Sequence, residues 1–199
     1  MVRVGNKAPD FKTITESGQK FKLSSLKGKR VFLFFYPEDG SPDCTAEACS
    51  IRDSYAAFAA NNAVVYGVSG GSSESHREFK REYSLPFPLL MDEDFRISRL
   101  YGVYGWDSRM DPRLVRIFEE DRAKGVPIGV YRIDFDPETG IDSVTYRGDE
   151  RVHMVVNRTS FLIDQQGKVE AIFGGPEAME EIDTEEHAEQ VLKAWGLKL

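Results

Sequence analysis

Val31-Phe32-Leu33-Phe34-Phe35-Tyr36-Pro37-Glu38-Asp39-Gly40-Ser41-Pro42-Asp43-Cys44-Thr45-Ala46-Glu47-Ala48-Cys49 reads as a strand, a loop and the start of a helix. The first six residues are all apolar or aromatic. Such a run predicts a central strand covered on both faces, since a half-exposed strand would alternate. Pro37 stops it, and Glu38 to Ser41 form a polar loop. Ser41 then has the character of an N-cap and Pro42 of a first helical residue. Cys44, Ala48, Ile51, Tyr55 and Phe58 recur at helical spacing and define one apolar face.

Working outward, residues 63–68 predict the next buried strand. The loop Ser69-Gly70-Gly71-Ser72-Ser73 follows, and then a helix over 74–83 with Phe79 and Tyr83 inward. Residues 89–91 predict a short strand and 95–101 a short helix. Strands alternating with helices are the α/β pattern. Residues 1–30 hold short extended pieces and turns. The stretch 105–152 is charge-dense. It predicts a helix over 113–124 and a hairpin from 128–135 and 141–147. Residues 159–163 and 169–173 predict a second hairpin. An amphipathic helix over 184–195 closes the chain, with Ala188, Val191, Leu192 and Trp195 inward.

The chain has 199 residues, which predicts one domain. Hydrophobic residues are 41% and charged residues 30%, as expected of a globular protein. The net charge of −7 argues against a nucleic-acid partner, which would need a basic face. The longest apolar run, 31–36, is far below the ~20 residues a membrane helix needs, so no membrane partner is expected. The opening MVRVGNKAPD lacks the apolar core of a secretory signal, which predicts a cytoplasmic protein.

The two cysteines, Cys44 and Cys49, are too few for a disulfide framework. With His76, His153 and His187 scattered, no zinc site is expected, and no cofactor motif is present. Cys44 falls in the first turn of its helix. Unpaired N–H groups and the positive end of the helix dipole favour a thiolate there. Asp43 and Glu47 are anionic neighbours and oppose it, so a cation from elsewhere, most simply an arginine, must compensate. Cys49 lies five residues on. In an ideal helix the two Cα atoms are then about 8.6 Å apart. A disulfide needs less than about 7 Å, so the two can bond only if the first turns unwind.

Pro37-x-x-x-Ser41-x-x-Cys44 matches the active-site pattern of the peroxiredoxins. The match extends through Gly5 to Phe11, Leu26 to Lys29, Phe35-Tyr36-Pro37, Cys44 to Cys49, Arg52-Asp53, Gly67-Val68-Ser69, Ser75-His76, Leu85-Pro86-Phe87 and Tyr101-Gly102-Val103, and resumes at Arg158 to Asp164. In these blocks the chain resembles the Q-type, or bacterioferritin-comigratory-protein, branch. The resemblance covers roughly three quarters of the chain. It implies a thioredoxin-like fold, a central mixed sheet flanked by helices, with an N-terminal β extension and an inserted helix plus hairpin at about 105–152 in a single domain 1–199.

It also implies a thiol peroxidase. Cys44 would be the peroxidatic cysteine and Cys49 the resolving one. Ser41 would hydrogen-bond the peroxide, Pro37 would close the pocket, and Arg158 would supply the cation. The partners implied are a hydroperoxide substrate and thioredoxin or a similar dithiol reductant, with the protein a monomer or weak homodimer. The chain departs from the branch in four places. Pro42-Asp43 stands where Pro-Gly is usual, Ser41 where Thr is common, Ser69-Gly70-Gly71-Ser72 lacks the aspartate often seen after the Gly-Val-Ser block, and the 105–152 link is long. Two other readings compete: a thiol–disulfide oxidoreductase, disfavoured by the missing Cys-x-x-Cys, and a redox-sensing protein that uses oxidation as a switch.

Overall fold

The computed structural model describes residues 2–106, 116, 119–120, 123–124, 130–134, 143–147, 154–175 and 178–197. These fall in two compact units, Met1–Tyr104 with Val156–Leu199, and Gly105–Val155.

The first unit is built on the apolar run. Strand β3 (Arg30–Phe35) is the middle of a five-stranded sheet of order β11-β10-β3-β4-β5. On one side it pairs in parallel with β4 (Ala63–Ser69), which pairs in parallel with β5 (Leu89–Met91). On the other it pairs antiparallel with β10 (Thr159–Ile163), which pairs antiparallel with β11 (Val169–Phe173). The sheet is therefore mixed. Phe32, Phe34 and Tyr36 enter one core, with Cys44, Ala48, Ile51, Phe58, Val191 and Trp195. Val31, Leu33 and Phe35 enter a second, with Phe11, Phe21, Tyr101 and Phe161. A strand buried on both faces has no use for polar residues, which explains the unbroken run. Gly67 lets the layers close: a Cβ there would lie 2.8 Å from both Leu89 Cδ2 and Phe34 Cζ.

Helices α1 (Pro42–Asp53), α2 (Tyr55–Ala60), α3 (Ser73–Glu82), α4 (Arg96–Tyr101) and α5 (His187–Ala194) complete the unit. The apolar stripe of 44–58 spans two helices rather than one, because the ladder breaks at Ser54, where ψ is 5°. The last helix starts at His187, and residues 184–186 form a turn before it. The N-terminal extension is a two-stranded pair, β1 (Lys12–Ile14) with β2 (Lys20–Lys22). A further pair joins β6 (Tyr104–Trp106) and β9 (Met154–Val156).

In the second unit, β7 (Val130–Asp134) and β8 (Ser143–Arg147) pair antiparallel, from Val130 opposite Arg147 to Asp134 opposite Ser143. Of the helix expected over 113–124, residues 116, 119, 120 and 123 are described and are helical. Lys124 forms a turn, and the other residues of that helix, with the turn at 136–140, lie outside the described residues.

Candidate active site

The site lies where β3 delivers the chain into α1, at the carboxyl end of a parallel strand, the usual place for a site in such a sheet. Pro42 opens the helix and Ser41 holds the N-cap position, with φ −65° and ψ 150°. Its hydroxyl does not cap, contrary to the sequence expectation. Ser41 Oγ points back at the Glu38 carbonyl oxygen, 3.4 Å away, while the Ser41 carbonyl accepts the first helical bond from Thr45 N–H at 2.8 Å. Ser41 and Pro37 are both half-buried and flank the turn that carries the cysteine.

Cys44 is 1% exposed, with its side chain in the core under the sheet. Arg158, directly before β10, reaches it across the sheet: Nη2 donates to Cys44 Sγ at 3.2 Å. The other arm of the guanidinium, Nη1, donates to Glu47 Oε2. The cation that the sequence required is therefore shared. Of the two anions read beside Cys44, Asp43 is exposed and Glu47 is fully buried. Burial pushes the Glu47 carboxyl up to about 7, against the opposing pull of Arg158. Its Oε1 has no hydrogen-bond partner.

His187 lies behind Glu47, with Nε2 3.7 Å from Glu47 Oε1 and 2.8 Å from Ser160 Oγ. His187 is 0% exposed, since the apolar face of α5 turns it inward with Ala188 and Val191. Burial pushes its imidazole down to about 4. His153 lies outside the described residues.

The loop ahead of the helix is fastened by Asp39. Its Oδ1 accepts from Tyr36 Oη at 2.7 Å, and its Oδ2 accepts from Ser75 Oγ at 2.6 Å and faces His76 Nδ1 at 2.7 Å. Burial pushes the Asp39 carboxyl up, but the bonds from His76, Ser75 and Tyr36 outweigh it and leave it below its ordinary value. A Cβ on Gly71 would come within 2.5 Å of Asp39 Oδ2, so the α3 side of this clasp needs a glycine there. His76 is thus a buried hydrogen-bonding residue.

Cys49 is half-buried on the same unbroken helix, and both cysteines are free thiols. Arg52, one turn on, donates from Nε to Asp53 Oδ1 at 2.7 Å and from Nη1 to the Tyr83 carbonyl oxygen at 2.9 Å. Among the described residues, no group of three or more His, Cys, Asp or Glu side chains could hold a metal ion. A surface cavity lined by Lys7, Lys27, Lys29, Val31 and Ile163 sits at the other end of β3 and touches none of these groups.

The AhpC/TSA family profile matches residues 4–172. The chain belongs to the AhpC/TSA family. A Bcp-type peroxiredoxin sequence of Coxiella burnetii is 33% identical over 172 residues, 86% of this chain and 88% of that one. The chloroplastic peroxiredoxin Q of Sedum lineare is 39% identical over 71% of this chain and 75% of its own. In fold, the chain is similar to peroxidoxin BcpB of Mycobacterium tuberculosis, with a TM-score of 0.68, 24% identity and full coverage of both chains. A peroxiredoxin Q variant from Xanthomonas campestris gives 0.63 and 21%, covering 94% of this chain and 90% of that one.

In this AhpC/TSA chain the structure brings Cys44, Arg158, Ser41 and Pro37 to one end of the sheet and leaves Cys49 farther along α1. Sequence reasoning missed Glu47 as a buried partner, Asp39 as a clasp, and His187. The signal for Glu47 was present: it is three residues from Cys44 and four from Ile51, a charge on the apolar stripe. Nothing local marked His187, whose burial depends on where α5 docks.

Proposed function

We propose that this peroxiredoxin reduces hydrogen peroxide and organic hydroperoxides through Cys44. The observation that carries the reading is Arg158 Nη2 donating to Cys44 Sγ at 3.2 Å, at the first turn of α1. A guanidinium and a helix N-terminus both favour the thiolate, which is the nucleophile. The thiolate attacks one peroxide oxygen. The S–O bond forms and the O–O bond breaks, and the departing alkoxide or hydroxide takes up a proton. Arg158 also faces the charge that develops there. Cys44 is left as a sulfenic acid. Ser41 hydrogen-bonds the peroxide after its hydroxyl turns from Glu38, and Pro37 shields the thiolate from water.

The Cys49 thiolate then attacks the Cys44 sulfur. The S–S bond forms, the S–O bond breaks, and the departing hydroxide takes up the proton given up by the Cys49 thiol and leaves as water. A dithiol reductant of the thioredoxin type regenerates both thiols by exchange. The proposal includes one thioredoxin-like domain carrying an insertion at about 105–152, a cytoplasmic setting, and a monomer or weak homodimer. No helix among the described residues is long and apolar enough to cross a membrane.

The test is peroxide consumption by the reduced protein, with and without thioredoxin and its reductase. Continuous turnover only with the reductant is the expected result. A single stoichiometric oxidation would favour a redox sensor instead.

A further inference from the structure

We propose that His187 is a positioning residue of the thiol site that acts through Glu47. The inference rests on the reading of Cys44 as the nucleophile. Its basis is a chain of buried groups that the reaction scheme above does not use.

The tautomer of His187 follows from its neighbours. Gln190 Nε2 donates to Glu180 Oε1 at 3.1 Å and to the Glu181 carbonyl oxygen at 3.0 Å. That fixes the amide with Oε1 facing His187 Nδ1, 3.1 Å away. Nδ1 therefore carries the proton and Nε2 a lone pair. Ser160 Oγ donates to that lone pair at 2.8 Å. Glu47 Oε1 faces the same nitrogen at 3.7 Å and has no other partner. Two acceptors thus confront each other in a dry interior, where an unpaired polar atom is costly. A proton on Glu47 Oε1 relieves this repulsion and competes with the Ser160 hydroxyl for the one lone pair of the nitrogen.

The protonation of Glu47 in turn governs Arg158. A charged Glu47 competes with Cys44 for one guanidinium, and a neutral Glu47 leaves that charge to the thiolate. By favouring the protonated carboxyl, His187 keeps Arg158 directed at Cys44. The charged and titratable groups around the pair are Arg158 before β10, Cys44 on α1, Tyr36 at the end of β3, and Asp183 ahead of α5. The opposed shifts of Glu47 and His187 described above agree with this arrangement, since burial disfavours the charged form of each side chain.

The experiment is the pH profile of single-turnover Cys44 oxidation by hydrogen peroxide, read by mass spectrometry of quenched samples. The limb that Glu47→Gln removes belongs to Glu47. His187→Gln presents an amide donor to Glu47 and should move that limb to lower pH, with a loss of at least threefold near pH 7. Ser160→Ala frees the imidazole lone pair and should move the limb to higher pH. A fold defect would not produce opposite shifts. In a Glu47→Gln background, His187→Gln should leave the profile unchanged. Wild-type profiles in both single variants, or the same loss in the Glu47→Gln background, would overturn the inference while leaving the peroxidase reading intact. Failure of the wild type to oxidise Cys44 at all would overturn both.

Discussion

Arg158 Nη1 donates to the buried carboxyl of Glu47, from the same planar group whose Nη2 lies 3.2 Å from Cys44 Sγ. One cation thus serves two acceptors in a nearly dry setting. Replacing Arg158 with Ala removes the partner of both. Cys44 oxidation should slow at least tenfold, about 1.4 kcal/mol of barrier. Stability should fall as well, by less than the roughly 3–5 kcal/mol of a broken buried ion pair, because a buried Glu47 without its partner takes up a proton. Glu47→Gln added to Arg158→Ala should recover much of that stability and none of the rate. Stopped-flow oxidation with chemical denaturation would check both halves.

Cys44→Ser conserves shape and removes the nucleophile. Peroxide consumption should vanish while the midpoint of thermal unfolding stays within a few degrees of wild type. Retained consumption in that variant would end the reading of Cys44.

Both cysteines lie on α1 without a break between them, so a Cys44–Cys49 disulfide requires the first turns to open. Amides near 41–50 should be protected from exchange in the reduced protein and lose protection on oxidation. Cys49→Ser should reduce one equivalent of peroxide and then accumulate sulfinic acid at Cys44. Wild-type turnover of Cys49→Ser with thioredoxin would remove Cys49 from the cycle.

The Asp39 clasp holds the loop that carries Pro37 and Ser41 against α3. Asp39→Ala deletes the acceptor of Tyr36 and Ser75 and the partner of His76. A loss of about 2–4 kcal/mol is expected for buried partners left unsatisfied. Exchange at residues 37–41 should rise, and Cys44 oxidation should slow because its pocket is less ordered. Equal exchange in variant and wild type would show that the loop is held by other contacts.

Glu47 and His187 pull the pH dependence of stability in opposite directions. Burial raises the Glu47 carboxyl to about 7, so the folded state binds more protons than the unfolded one between its ordinary value of 4.5 and 7. Stability from this group falls as pH rises through that window. Burial lowers His187 from 6.5 to about 4, so the unfolded state binds more protons there, and stability falls as pH drops from 6.5 towards 4. The two slopes oppose each other where the windows overlap. Thermal melts between pH 4.5 and 6.5 should slope upward with pH in Glu47→Gln and downward in His187→Gln, with the wild type flatter than either. Parallel slopes in all three would contradict this.

What the sequence determined by itself was the local pattern. A run of six apolar residues, a proline, a polar loop and a helix with Cys44 in its first turn are short-range features, set by side-chain periodicity and backbone sterics. They placed β3, the start of α1 and the cysteine spacing correctly, and the family blocks pointed to Arg158. The tertiary structure decided what those features meet. Arg158 is 114 residues from Cys44 in the chain, and only the antiparallel pairing of β10 with β3 brings its guanidinium to the sulfur. Glu47 reads as a solvated neighbour until α1 packs its apolar stripe, and the carboxyl with it, against the sheet. Asp39 reads as a loop residue until α3 presents Ser75 and His76. His187 reads as one more polar residue of the last helix until α5 docks and turns it inward. Burial is a property of which faces come together, and a buried charge or imidazole takes its chemistry from neighbours that the sequence does not place beside it.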